Sequence, residues 1–154
     1  MIDSMSNIPS NNDYSSQLVD LICNMDLAKK KRLREICMYP YKNKKGNVYI
    51  MSAIDNRTIY KIGHANDVNA RHRALKKEQN VKDIIFSIET LESEKTERIL
   101  HLIFKVFNVK RSITKNHTEW FNVPHQIINL ALNYICQLTD KYNGNDLYKK
   151  ILSL

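Results

Sequence analysis

The chain has 154 residues, of which 43% are hydrophobic and 26% charged, with a formal net charge of +8; this is the balance of one globular domain, not of a disordered, collagenous or membrane-spanning chain. Three cysteines, Cys23, Cys37 and Cys136, lie far apart with no C-x-x-C pair, which argues against a disulfide framework or structural zinc and for reduced thiols. The apolar stretch 99–107 is broken by His101 and Lys105, and the Ser/Asn-rich start with Asp3 lacks the pattern of a secretory signal, so no membrane partner and an intracellular location, cytoplasm or nucleus, are expected.

Residues 1–14 are polar, carry Pro9 and show no periodicity, so they are expected to be disordered. From Ser15 or Ser16 as N-cap, Leu18, Leu21, Ile22, Met25, Leu33 and Ile36 recur at helical spacing. This predicts one N-terminal helix ending before Tyr39-Pro40, where the residue preceding proline leaves the α region. With the lysine-rich linker that follows, it forms a basic segment over 15–45. The period then changes. Asn47 to Ala53 and Thr58 to His64 are rich in β-branched and aromatic residues and are joined by the turn-forming 54–57, which predicts an antiparallel hairpin. Asn66 and Asp67 cap a helix running to about Gln79. Val81 to Thr90 reads as a third strand, and Glu92 to Phe107 as a helix with a strong apolar face. A polar loop, 108–118, precedes Glu119-Trp120-Phe121. Pro124 takes the first position of a helix to about Leu138, with Ile127, Ile128, Ala131, Tyr134 and Ile135 facing the core. A short helix follows Asn145 within the tail 139–154. The fold class expected is α+β: a small three-stranded antiparallel sheet flanked by helices, with an added N-terminal helix.

Charge is concentrated. Between Lys29 and Lys77 stand fourteen Lys and Arg against three acidic residues, giving that segment +11 and the remainder −3. Such asymmetry suits a polyanion, most often nucleic acid, because each neutralised phosphate releases condensed counterions. A solvated basic surface without a partner is the alternative.

Several side chains could carry chemistry. Val68, Arg71 and Leu75 share one helical stripe, so Arg71 is an arginine on an apolar face and requires an anion or several acceptors. A buried salt bridge or a snorkelling stem would also satisfy it. Arg73, Lys76 and Lys77 fall on the solvated side of that helix. Glu97 sits at the rim of the arc formed by Leu100, Ile103, Phe104 and Phe107, four residues before His101 and near Glu94. One carboxylate with waters and a substrate phosphate is a normal magnesium environment, and an ordinary Glu–His pair on a helix surface is the competing reading. His64, at a strand end, could touch phosphate or simply be solvated. His72 and His117 lack matching ligands for zinc. Trp120 is read as the core aromatic that pins the last helix to the sheet, with base stacking as the alternative.

Taken together, Val48-Tyr49-Ile50, Tyr60-Lys61-Ile62-Gly63, Asp67, Arg71, Leu75, Glu97, His101, Phe104 and Glu119-Trp120-Phe121 resemble, in order, the GIY-YIG nuclease superfamily. The similarity is to its phage and viral branch, named after an open reading frame of bacteriophage T-five and including Mug-type proteins. It implies a GIY-YIG-like domain over about 46–138 and hydrolysis of a DNA phosphodiester by an endonuclease using one magnesium or manganese ion. Arg71 would clamp the scissile phosphate, Glu97 would hold the metal, and Tyr49 would orient or deprotonate the attacking water. Tyr60, Gly63, His64, Arg73, Lys76 and Lys77 would contact nucleic acid, double-stranded DNA rather than RNA. One departure bears on activity: Lys61 stands where nucleases of the superfamily carry a tyrosine two residues before the glycine, and Tyr60 points to the opposite strand face. Lysine at this position is usual for the branch and could bind phosphate or act as a base. A DNA-binding module without turnover, and an interaction protein with a vestigial cleft, are the alternative functions.

Overall fold

A computed structural model of the protein describes residues 11–111 and 119–154. Six α-helices are present among them: α1 (Asn11–Cys23), α2 (Leu27–Met38), α3 (Val68–Glu78), α4 (Ser93–Ile103), α5 (His125–Lys141) and α6 (Gly144–Leu152). The strands are β1 (Gly46–Ala53), β2 (Ile59–Ala65), β3 (Val81–Thr90) and β4 (Trp120–Asn122), in the spatial order β3-β1-β2-β4 with every pair antiparallel.

The sheet therefore has four strands, not three. The strand missing from the sequence reading is β4, which pairs Ile59, Tyr60 and Lys61 with Asn122, Phe121 and Trp120. Three residues are too few to show alternation, so only pairing with β2 defines it. The N-terminal segment is likewise two helices. The chain breaks after α1, and Asp26 caps α2 by accepting from the Lys29 amide at 2.8 Å. Of the segment expected to be disordered, residues 1–10 lie outside the described residues, whereas 11–14 are helical and Tyr14 is buried. Most of the predicted 108–118 loop, with His117, is also outside them. Pro124 is the N-cap of α5, with extended ψ (133°), not its first helical residue, and the apolar helix predicted to Phe107 ends at Ile103 with a separate 3₁₀ turn, Lys105–Phe107.

β1 is central and covered on both faces, which is why its residues are buried almost without interruption. Val48, Ile50, Ile62 and Phe121 face one way, into a core shared with α1, α2, α4, α5 and α6. Tyr49, Met51, Ala53 and Trp120 face the other way and pack with Leu75 of α3. Trp120 thus anchors β4 on the α3 side; its neighbour Phe121 is the aromatic that meets the helical core. Where the β1–β3 register shifts, Ser52 stands in for the lost ladder, its Oγ accepting from the Asp83 amide at 3.1 Å.

Helix α4 is fixed on three sides. The Lys95 ammonium, buried, donates to the Cys37 carbonyl of α2 at 3.0 Å, and the Thr96 and Thr139 hydroxyls meet at 2.9 Å. Asp140 of α5 accepts from the Leu91 amide at 2.8 Å just before the helix begins. The three cysteines are free, and burial pushes the Cys37 and Cys136 thiols up to about 12, so they are chemically quiet.

Candidate functional site

The site is built around Tyr49. Its register partner across the β1–β2 ladder is Gly63, and a Cβ added at Gly63 would overlap the Tyr49 phenol. The missing side chain therefore makes room for the tyrosine ring. At Gly63 the close approach is made by the Tyr49 ring. The ring is 1% exposed. Burial pushes its phenol above the ordinary tyrosine range, and the nearby Arg71 guanidinium only partly offsets this. The phenol is therefore protonated at neutral pH.

Arg71 reaches the phenol from α3. The helix begins at Asp67, whose carboxylate accepts from the Ala70 amide at 3.0 Å. Leu75, fully buried one turn on, seats the same stripe against the sheet. Arg73, Lys76 and Lys77 point to solvent.

Glu97 comes from the opposite face of the sheet, because α4 belongs to the larger core. It lies against β2 at Ile62 to His64, beyond the three residues that pair with β4. There the Ile62 amide donates to the Glu119 carbonyl at 3.0 Å, and the Ile62 carbonyl accepts from His101 Nε2 at 2.9 Å. The Glu97 carboxylate, 7% exposed, meets His64 Nδ1 with Oε2 and lies 3.4 Å from His101 Nε2 with Oε1. It raises the His64 pKa through that hydrogen bond against the opposing effect of burial. The charges of both Glu97 and Glu119 act on the Tyr49 phenol. Arg71 and Glu97 thus act on one tyrosine from opposite sides of the sheet, and not across a floor on one sheet face.

Lys61 shares the Tyr49 face, as strand alternation requires, but it is 1% exposed. Its ammonium meets the Glu119 carboxylate, and the Trp120 ring centroid lies 5.6 Å away. Arg111 covers the same ring at 4.3 Å and pairs with Asp55 of the hairpin turn at 2.7 Å. Tyr60 points the other way, edge-on to His125 with centroids 5.4 Å apart, remote from Arg71. The His64–Glu97 contact escaped the sequence reading because it spans 33 residues and the sheet; the spacing of Glu97 and His101 was its one visible trace.

The basic segment does not form one surface. Leu33, Ile36 and Cys37 tie α2 to the larger core, whereas Leu75 ties α3 to the smaller one. The 29–34 cluster and the 71–77 cluster therefore lie on opposite faces of the sheet.

Residues 46–136 match the T5orf172 domain. The chain belongs to the T5orf172 domain family. This phage-associated domain is DNA-binding or nuclease-like in character. Among curated proteins and solved structures, nothing significantly matches the chain. The T5orf172 domain contains β1 to β4 and most of α5, hence Tyr49, Lys61, Arg71, Glu97 and Glu119, while α1, α2 and α6 lie outside it. No helix among the described residues is long and apolar enough to cross a membrane.

A divalent ion at this site would rely on few protein ligands. Among the described residues no three His, Cys, Asp or Glu side chains are grouped to hold a metal. Glu97 fits the one-carboxylate case. Each of its oxygens faces one imidazole and keeps a second lone pair, and magnesium retains several waters when held by one or two carboxylates.

Proposed function

We propose that the protein binds DNA and that its T5orf172 domain is a GIY-YIG-type, metal-dependent endonuclease. The observation that carries the reading is the Arg71 guanidinium beside the buried Tyr49 hydroxyl, with the charge of the Glu97 carboxylate acting on the same phenol. An arginine held beside a buried hydroxyl and a carboxylate suits a phosphodiester, whose oxygens accept from the guanidinium fork.

In this reading Arg71 binds the scissile phosphate and stabilises charge that develops on it. Tyr49, protonated, orients the attacking water by hydrogen bonding and is not its base. Glu97 would hold one magnesium or manganese ion, which when bound supplies Lewis-acid stabilisation of the reacting phosphate. His64 and His101 position the carboxylate. Lys61, engaged with Glu119, holds β4 and Trp120 in place. Arg73, Lys76 and Lys77 track the DNA backbone.

A second reading, DNA binding without turnover, draws on the same carboxylate: both Glu97 oxygens already face imidazoles, and Lys61 stands where a second tyrosine is usual. Nicking of supercoiled plasmid with magnesium or manganese separates the two. The nuclease reading requires nicking by the wild type and a loss of about 100-fold or more in Arg71→Ala and Glu97→Ala. Binding without nicking establishes the second reading, and nicking that survives both substitutions excludes the first.

A further inference from the structure

Helix α2 and the segment after it, which lie outside the T5orf172 match, build one wall of a groove against α4. Between the end of α2, residues 39–43 and α4 lies an open cavity of about 800 Å³. A second cavity, of about 280 Å³, continues from it and shares Arg32 and Arg98 as walls. His101 lines this second part and is also the residue beside Glu97. The two cavities thus adjoin, and the second borders the candidate site at His101.

The walls are aromatic and cationic. Tyr39 is 58% exposed and Tyr41 is buried beneath it, with ring centroids 4.7 Å apart. The Arg98 guanidinium covers the Tyr41 ring at 5.3 Å. Pro40 holds Tyr39 in extended backbone (φ −72°, ψ 133°) at the end of α2, so the exposed ring is presented by a stiff segment. Lys42 lines the first cavity and Lys105 the second. Two carboxylates also line the first: Glu35, 3.3 Å from Arg32, and Glu94, 3.8 Å from Arg98. These are pairs with exposed arginines that exchange readily for phosphate.

We infer that this groove binds an unpaired strand of DNA, with a base stacked on Tyr39 and phosphates on Arg32, Arg98, Lys42 and Lys105. Aromatic platforms interleaved with cations are what single strands require, because every base offers a π-face. The first cavity is the size of a small-ligand pocket, roughly 300–1,000 Å³, suited to a splayed nucleotide and too small for a duplex. The mixed charge fits the same ligand: a single strand is less densely charged than a duplex, and its open base edges can donate to Glu35 and Glu94. The inference rests on the nucleic-acid-binding reading above, and it adds a single-stranded region of the substrate held by the N-terminal extension.

Fluorescence anisotropy with a labelled 15-nucleotide oligothymidine and a duplex of equal length tests it, on the full chain. Tyr39→Ala and the double substitution Arg32→Ala/Arg98→Ala are expected to weaken single-strand binding about tenfold or more. Duplex affinity should be unchanged, and Tyr39→Phe should retain single-strand affinity. Single-strand affinity that is unmoved by Tyr39→Ala overturns the inference while leaving duplex binding, and the reading it rests on, intact. Displacement of the oligonucleotide by polyglutamate at equal charge also overturns it, because the groove would then be a general anion surface. Absence of binding to either DNA form overturns both proposals.

Discussion

Gly63 and Tyr49 are opposed across the central ladder, and the phenol occupies the volume that any side chain at position 63 would need. Position 63 is thus fixed by packing under the tyrosine. Gly63→Ala is expected to cost about 1–3 kcal/mol through overpacking and to displace the hydroxyl from Arg71. Trimming the ring in the double variant Gly63→Ala/Tyr49→Leu should recover part of that stability but not the hydroxyl beside Arg71. Urea denaturation of both variants checks the pair. Simple additivity of the single effects would show that the two residues are uncoupled.

The buried Lys61 and the partly exposed Glu119 form an ion pair that links β2 to the residue preceding β4. Leaving the ammonium without its carboxylate strands a charge with 1% exposure. Glu119→Gln should therefore destabilise the fold by about 3 kcal/mol. Lys61→Met/Glu119→Gln should cost less than the sum of its parts, since the charge and its partner leave together. If instead Lys61 serves as a phosphate contact, Lys61→Met will weaken DNA binding with little change in the denaturation midpoint.

How much of this was legible in the sequence depended on range. The hairpin showed in its β-branched alternation, and α3 in Asp67 followed by the Val68, Arg71, Leu75 stripe, because both signals are local. The α1–α2 break was written in Asp26, a good N-cap, yet the apolar period ran across it and masked it. β4 was hidden because its identity lies in hydrogen bonds to β2, not in its own three residues. Within the site, the helical positions of Arg71 and Glu97 were readable. Their joint influence on Tyr49 from opposite faces was not, nor was the capture of Lys61 by Glu119, since both depend on how the sheet is assembled.

The separation of the two basic clusters gives a salt-dependence prediction. Arg73, Lys76 and Lys77 share the Arg71 side of the sheet, whereas Lys31 and Arg34 belong to α2 on the other. For duplex DNA each phosphate contact contributes about 0.9 to the slope of log affinity against log salt. Replacing Arg73, Lys76 and Lys77 with alanine should flatten that slope by up to about 2.7, and replacing Lys31 and Arg34 should leave it unchanged. Equal flattening from both sets would mean that duplex DNA wraps both faces.

His125 supplies a pH test away from the candidate site. At the start of α5, its Nδ1 is buried without a hydrogen-bond partner among the described residues, and burial lowers its pKa below the ordinary 6.5. The unfolded chain then takes up the proton first as pH falls. The stability contributed by a neutral His125 is therefore intact above pH 6.5 and is lost progressively below it, levelling off under the folded value. His64 runs the other way: raised by Glu97, its contribution is complete below 6.5 and fades as pH climbs through the folded value. The two windows meet near pH 6.5 in the wild type, so the difference between variant and wild type is the useful quantity. His125→Gln should gain stability relative to the wild type as pH drops from 7 to 5, while the gap stays constant above 7. Thermal unfolding midpoints across that range measure it, and a gap that is flat throughout would mean that His125 protonates as freely in the folded protein as in the unfolded chain.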